Sequence, residues 1–150
     1  MLTNKLNFLP AEYFEISGLI KLASTTNVQV AMGVTINTAA NDDGIYFWKA
    51  TADTNWFGQA KSGGTATKTD TGVAVGTAWT AFRVRRVDAA TVGFALATTL
   101  TGLYVAPETL VTTNIPTAAV EFFVALFTAE AVAKSISVDY LETRFSKLVR

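Results

Sequence analysis

An alternation of apolar and polar side chains restricts the possible folds more than any other feature of this chain. It is clearest at 28–36, where one set of alternate positions is wholly apolar: Val28, Val30, Met32, Val34 and Ile36. A period of two sends successive side chains to opposite faces of a β-strand, and the apolar face must be buried against another layer. The segment therefore predicts a half-buried antiparallel strand.

Similar strands are predicted along the rest of the chain, separated by turns. They fall at 14–22, 45–50, 79–87, 91–96, 120–127 and 135–141, and 120–127 is apolar on both faces. The Gly- and Thr-rich stretch 62–72 is predicted to be a mobile hairpin or loop, and 128–134 a helical turn at most. Many short strands without a helical period predict one all-β antiparallel sandwich over residues 11–150, preceded by an N-terminal arm at 1–10.

Composition excludes several kinds of chemistry. The 150 residues include no histidine and no cysteine, which excludes disulfides, thiolate nucleophiles, a Ser-His-Asp triad and the usual zinc sites. The formal net charge is zero, so no basic stripe is available for nucleic acid. No apolar run is long enough to span a membrane. We therefore expect a non-enzymatic protein with no cofactor, no metal, no nucleic-acid partner and no membrane partner.

Four short motifs follow one another in the second half of the chain. They are a strand led by Trp79, a hairpin ending at Thr91-Val-Gly-Phe94, the step Thr113-Asn-Ile-Pro116, and Val138-Asp-Tyr140 in the last strand. This order resembles the concanavalin-type jelly roll of bacteriophage structural proteins. The resemblance covers residues 79–141, and Trp79 and Val138-Asp-Tyr140 are interpreted as core and strand-pairing residues. It implies a concanavalin-like jelly-roll β-sandwich.

Acidic residues offer little for catalysis or metal binding. Glycosidases of this broad fold carry two carboxylates on one strand, and retaining enzymes need them about 5–5.5 Å apart. The corresponding strand, 45–50, contains no carboxylate. Asp42 and Asp43, with Asn41, are candidate oxygen ligands for Ca²⁺, but a hairpin turn is the preferred interpretation.

Two pairs of residues are candidates for a contact surface. Trp56 and Phe57 lie near a predicted loop, where an exposed aromatic pair would stack on a sugar ring. The preferred interpretation for the aromatic residues of this region is that they fill the core, as Trp48 is predicted to do. Arg83 and Arg85 are predicted to share one face of a strand, and a solvated face is the preferred interpretation. The alternative is that they form ion pairs with carboxylates of a neighbouring subunit.

The N-terminal arm is the third candidate for a contact surface. Its apolar residues include Leu2, Leu6 and Phe8. A hydrophobic arm is unfavourable in water, so we expect it to dock on a neighbouring subunit as an added strand.

The resemblance implies a protein of the virion, on the capsid surface. The first hypothesis is a capsid decoration (cement) protein that binds the major capsid protein as a homotrimer and stabilises the shell by mass action. The alternative is a carbohydrate-binding module of a head fibre or of a tail receptor-binding protein. A small tail or baseplate component is a third possibility.

Overall fold

The computed structural model describes residues 4–8, 12–36, 42–118 and 120–145. Within these ranges the chain forms strands joined by turns, with one turn of 3-10 helix at Thr101–Tyr104. The strands are β1 Asn4–Phe8, β2 Phe14–Leu22, β3 Val28–Thr35, β4 Gly44–Lys49, β5 Asn55–Ser62, β6 Thr65–Ala74, β7 Thr80–Asp88, β8 Thr91–Ala97, β9 Thr109–Val111, β10 Val120–Thr128 and β11 Ile136–Phe145. None of the described helices has the length and apolarity of a membrane span.

Two antiparallel sheets pack face to face. The six-stranded sheet has the order β1-β10-β3-β4-β5-β6, and the five-stranded sheet has the order β11-β2-β7-β8-β9. The last two strands in the chain return to the first ones, because β10 lies between β1 and β3 while β11 pairs with β2. The predicted all-β antiparallel jelly-roll sandwich is confirmed.

The core lies between the inner faces of the sheets. Val28, Val30, Met32 and Val34 are fully buried there, as the alternation predicts. The ring of Phe47 crosses the gap, with its centroid 6.2 Å from Phe82 and 5.2 Å from Phe94, both on the other sheet, in edge-to-face geometry. Such aromatic pairs contribute about 0.5–1.5 kcal/mol each beyond the area they bury.

A glycine on β5 allows the sheets to approach closely. A Cβ atom at Gly58 would lie 2.6 Å from Cδ2 of Phe94. Any larger residue would therefore force the Phe94 ring or the β5 backbone to move.

The stretch 62–72 differs from its prediction as a loop. It contains a tight turn at Gly63 and Gly64, with φ of 58° and 79°, followed by the strand Thr65–Ala74. Positive φ at two turn residues matches the twist of a hairpin, and threonine favours strands. The Asp43 carboxylate accepts hydrogen bonds from the backbone N–H groups of Gly63 at 2.6 Å and Gly64 at 3.1 Å. Asp43 therefore stabilises a turn. Asn41, which was the other candidate Ca²⁺ ligand beside Asp42 and Asp43, lies outside the described residues.

The N-terminal arm also differs from its prediction. Residues Asn4–Phe8 form the edge strand β1, which pairs with β10 of the same chain. Leu6 and Phe8 belong to this strand, and Leu2 lies outside the described residues. The arm therefore adds a strand to its own sheet, where its main-chain hydrogen bonds find a partner without a neighbouring subunit.

Several motif residues that carried the resemblance are exposed, so their interpretation as core residues is wrong. Trp79 precedes β7 and is 39% exposed, while Val138 and Tyr140 are 41% and 38% exposed. The last two lie on an edge strand, at an irregularity in its pairing with β2. An edge strand has only one neighbour to cover its side chains. The stretch 129–134 is likewise not helical, and consists of bends and irregular backbone.

Candidate functional site

The outer face of the six-stranded sheet, on the side away from the core, carries a second group of aromatic residues. The pleat of β4 sends Phe47 into the core and sends Tyr46 and Trp48 outward. The Tyr46 ring meets Trp48 at a centroid distance of 6.1 Å and Phe123 at 5.6 Å, both edge to face. This outer aromatic cluster is buried and covers the outer face of β3 at Ala31. The strand is therefore buried on both faces, although it was predicted to be only half-buried.

The hydroxyl of Tyr46 holds a fixed position in this cluster. It donates a hydrogen bond to the carbonyl of Asp42 at 3.3 Å and accepts one from Nε2 of Gln59 at 2.9 Å. Burial raises the pKa of Tyr46 to about 12, the charges of Asp42 and Asp43 also raise it, and the bond from Gln59 opposes them. The hydroxyl is therefore protonated at neutral pH and orients Gln59 on the sheet surface.

A polar patch adjoins this cluster on the hairpin of β5 and β6. Phe57 is the register partner of Trp48, and Nζ of Lys68 lies 3.9 Å above the centre of the Phe57 ring. The same ammonium group lies 2.8 Å from Oδ2 of Asp53. We call Asp53, Asn55, Phe57, Lys68 and Asp70 the β5–β6 patch.

The acids of the β5–β6 patch are held by donors of the same chain. Asp53 accepts a hydrogen bond from the N–H of Ala50 at 2.7 Å, in addition to its ion pair. Asp70 accepts hydrogen bonds from Nδ2 of Asn55 at 3.1 Å and from the N–H of Gly72 at 2.7 Å. The patch therefore presents an ammonium, two carboxylates and an amide in fixed positions around one aromatic ring.

A groove begins at Asp53 and extends over the adjoining end of the sandwich. Its volume is about 310 Å³, at the lower end of the roughly 300–1,000 Å³ typical of ligand pockets. The polar lining consists of hydroxyl, amide and carboxyl groups, from Thr25, Thr26, Asn27, Thr51, Asp53 and Thr54. Asn27 is oriented by its own hydrogen bond, which Nδ2 donates to Glu130 at 3.0 Å. The groove is lined by groups that both donate and accept hydrogen bonds.

The strands of this sheet carry widely spaced carboxylates on their outer face. Glu121 on β10 and Asp70 on β6 are separated by four strand spacings, which is about 19 Å. Glycosidases place their two carboxyl groups about 5–9.5 Å apart. The outward positions of β3, β4 and β5 carry no carboxylate within the described strands, and no group of three or more acidic residues in the described part of the chain could hold a metal ion.

The structure separates the predicted aromatic pair. Trp56 is 1% exposed and packs in the core against Phe47, whereas Phe57 faces outward and is half-buried. The prediction that Trp56 lies on a contact surface is therefore wrong, because consecutive residues of a strand face opposite sides. Trp48 lies in a buried cluster, but on the outer side of the sheet.

The predicted arginine pair shares one face, on the outer side of the five-stranded sheet. Nη2 of Arg83 lies 2.9 Å from Oε1 of Glu108, and Arg85 donates to both oxygens of that carboxylate, at 2.6 and 2.8 Å. These hydrogen bonds, chiefly those from Arg85, lower the pKa of Glu108. In the ion-pair alternative, the carboxylate of a neighbouring subunit is thus replaced by one from the same chain.

Sequence reasoning missed most of the β5–β6 patch. Lys68 and Asp70 were not singled out, because 62–72 was interpreted as a loop, and Asn55 was not singled out either. The signal was present as alternation, since Lys68 and Asp70 occupy every second position among threonines. Reading that stretch as a strand places both side chains beside Phe57.

Solved structures of low sequence identity share this fold. A β-glucanase of Bacillus licheniformis superposes with a TM-score of 0.66 at 12% identity, covering 97% of this chain and 70% of its own. Sheep galectin-11, in complex with glycerol, has a TM-score of 0.59 at 12% identity and covers 92% of this chain and 94% of its own. These likenesses define the class as a concanavalin-like jelly-roll sandwich, as predicted.

Sequence comparison identifies the family. The model of the SO2946-like family, C-terminal domain, matches residues 2–139, and the chain belongs to this family. The protein of unknown function SO2946 from Shewanella oneidensis MR-1 has a TM-score of 0.64 at 14% identity. The match covers 93% of this chain but 62% of SO2946, so the chain spans less than two thirds of that protein. No curated protein matches the sequence.

Proposed function

We propose that this chain is a non-catalytic glycan-binding domain of a phage virion protein. The glycan would lie on the β5–β6 patch and enter the adjoining groove. The observation that carries the proposal is the ring of Phe57, surrounded by the charged and amide groups of Asp53, Asn55, Lys68 and Asp70. The likeness to a β-glucanase and a galectin agrees with a carbohydrate ligand, although at these identities it concerns the fold.

The chemistry of the patch suits a sugar. A sugar ring presents apolar C–H groups on its faces and hydroxyl groups around its edge, so its site needs an apolar surface ringed by donors and acceptors. Phe57 would supply the apolar surface once the Lys68 ammonium moves from above its ring to donate to the sugar, and Asp53 and Asp70 would supply acceptors. Asp53 and Asp70 are already held by donors of the same chain, so ordering these two acceptors costs little additional side-chain entropy.

The positions of the carboxylates favour binding over hydrolysis. Glu121 and Asp70, which face outward on strands of the six-stranded sheet, lie about 19 Å apart, too far to act on one glycosidic bond. Asp53 and Asp70 in the patch are each engaged by two donors of the same chain. Such carboxylates serve as fixed hydrogen-bond acceptors.

The assignment to a phage virion rests on the resemblance of residues 79–141 to phage structural proteins. Within that setting, capsid decoration is the second candidate function. The observation that favours it is apolar surface near the edge of the five-stranded sheet, where Tyr104, Val105 and Leu110 are all more than half exposed. Exposed apolar surface of this kind marks protein contacts, here with the major capsid protein or with other copies in a homotrimer.

Glycan arrays followed by calorimetry test the first function. We expect the purified chain to bind a defined set of glycans, and Phe57→Ala and Lys68→Ala each to weaken binding about tenfold, or about 1.4 kcal/mol. Leu110→Ala, on the other sheet, is the control and should leave affinity unchanged. The proposal is abandoned if no glycan binds, or if both patch variants bind as well as the native chain.

Co-sedimentation with capsids tests the second function. A decoration protein should pellet with assembled capsids and raise their melting temperature, and Leu110→Ala should weaken this association while Phe57→Ala should not. Absence of any capsid-bound fraction at saturating protein would exclude the role.

A further inference from the structure

A small cavity lies on the opposite side of the molecule, on the outer face of the five-stranded sheet. Glu15 and Ser17 of β2, Arg83 of β7, and Tyr140 and Glu142 of β11 contribute to its lining. Its volume is about 60 Å³. A cavity needs at least roughly 10–15 Å³ to hold one water molecule, so this one has room for a small group of a few non-hydrogen atoms.

Two buried charged groups in the lining have incomplete hydrogen bonding. The side chain of Glu15 is 9% exposed, and its contacts with Nη1 of Arg144 at 3.9 Å and with the hydroxyl of Tyr13 at 3.5 Å are both longer than a normal hydrogen bond. The side chain of Arg83 is 10% exposed, and its Nε has no hydrogen-bond partner among the residues that the structure describes. Buried polar groups are nearly always paired, so a carboxylate and a guanidinium left in this state beside one cavity point to a ligand.

Charge is balanced across the cavity. On one side, Arg83 and Arg85 share the carboxylate of Glu108, which leaves a net charge of about +1. On the other side, Arg144 binds Glu142 at 2.8 Å, and Glu15 is the remaining carboxylate. A neutral ligand with a donor at one end and an acceptor at the other therefore fits better than an ion.

The remaining lining is apolar and aromatic. Leu100 and Leu103 contribute apolar surface, and Leu103 is buried. Tyr104 also borders the cavity and is 62% exposed, with its ring centre 5.8 Å from Cζ of Arg83. The ligand group should therefore include a methyl-sized apolar part and continue into something that lies against a tyrosine ring.

We propose that this cavity binds the acetamido group of an N-acetylated sugar. That group has four non-hydrogen atoms: its N–H would donate to the Glu15 carboxylate, its carbonyl would accept from the Arg83 guanidinium, and its methyl would pack on Leu100 and Leu103. The sugar ring would lie on Tyr104. The site is independent of the β5–β6 patch, so either can fail without the other.

The acetamido group also occurs in acetylated lysine side chains. The rim favours the sugar, because Tyr104 offers a ring surface, and because Tyr140 and Glu142, joined by a hydrogen bond of 2.6 Å, offer polar groups for ring hydroxyls. An aliphatic lysine chain would use the ring but not these polar groups.

Nuclear magnetic resonance titration of the ¹⁵N-labelled chain tests the proposal. The probes are N-acetylglucosamine, glucosamine, glucose and Nε-acetyllysine amide. We expect N-acetylglucosamine to shift the amide resonances of Glu15, Ser17 and Tyr104, with millimolar affinity, and to leave Phe57 unshifted. Glucose and glucosamine should bind at least tenfold more weakly, because they lack the acetyl group.

Substitutions test which residues of the cavity contribute to the affinity for N-acetylglucosamine. Glu15→Gln keeps the shape of the side chain but removes the negative charge from the hydrogen-bond acceptor. It should therefore reduce the affinity for N-acetylglucosamine about tenfold. Tyr104→Ala, at an exposed position where folding is not at stake, should reduce it similarly, while its exposed neighbour Val105→Ala serves as the control. Equal affinity for glucose and N-acetylglucosamine, no shifts at the cavity, or tighter binding of Nε-acetyllysine amide would each overturn the proposal.

Discussion

Two adjacent aromatic residues on β5 provide a matched pair of substitutions, Trp56→Ala and Phe57→Ala. Trp56 is 1% exposed, and its ring centre lies 6.5 Å from that of Phe47. Replacing Trp56 by alanine therefore leaves a cavity in the core. Removal of a buried aromatic side chain costs about 3–5 kcal/mol. A domain of this size is stable by about 5–15 kcal/mol, so this loss is a large fraction of the total.

Phe57→Ala should cost much less. The ring is half-buried, which corresponds to about 1 kcal/mol of burial, and its contact with Lys68 adds about 0.5–1 kcal/mol. We therefore expect a loss of about 1–2 kcal/mol. At about 2–4 °C per kcal/mol, the melting temperature should fall by about 6–20 °C for Trp56→Ala and by about 2–8 °C for Phe57→Ala.

Urea unfolding followed by far-ultraviolet circular dichroism measures both losses, with thermal melts as a second measurement. The two variants should differ in the midpoint of unfolding at an unchanged slope. Equal losses for the two, or a larger one for Phe57→Ala, would refute the placement of Trp56 inside and Phe57 outside. Glycan binding should show the opposite order of effects. The folded fraction of Trp56→Ala should keep the glycan affinity of the native chain, whereas Phe57→Ala should lose it.

Three further substitutions test other contacts. Gly58→Ala should cost about 1–3 kcal/mol in urea unfolding, because its Cβ would lie 2.6 Å from the Phe94 ring. The pKa of Tyr46 is raised from 10.0 to about 12, so its contribution to stability is complete below pH 10 and is lost as the pH rises through 12. In Tyr46→Phe, the free energy of unfolding should therefore fall less steeply at alkaline pH, which urea unfolding at a series of pH values measures. Glu108→Gln should cost about 3 kcal/mol at neutral pH, because buried Arg83 loses its anion. Since the pKa of Glu108 is lowered, this stabilisation exists above the ordinary carboxyl pKa and is lost in acid, so thermal melts of the variant should depend less on acid pH.

Local alternation was sufficient to predict which side chains share a face. Val28, Val30, Met32 and Val34 were predicted on one face of a strand, and all four are buried in the core. The prediction failed where alternation was present but involved few large apolar residues, as in the exposed strand β6. There, threonines and glycines suggested a loop, although the same residues favour a strand and a tight turn.

The fold class and the shared faces of strands followed from the sequence alone, because a period of two depends only on neighbours in the chain. The tertiary structure decided which partners meet: Glu108 with Arg83, β1 with β10, and Glu15 with Glu142 around one cavity. It also decided that Trp79 is exposed and Trp56 buried. Strand order depends on the packing of the whole chain and on the entropy of closing long loops, and neither is present in any local stretch of residues.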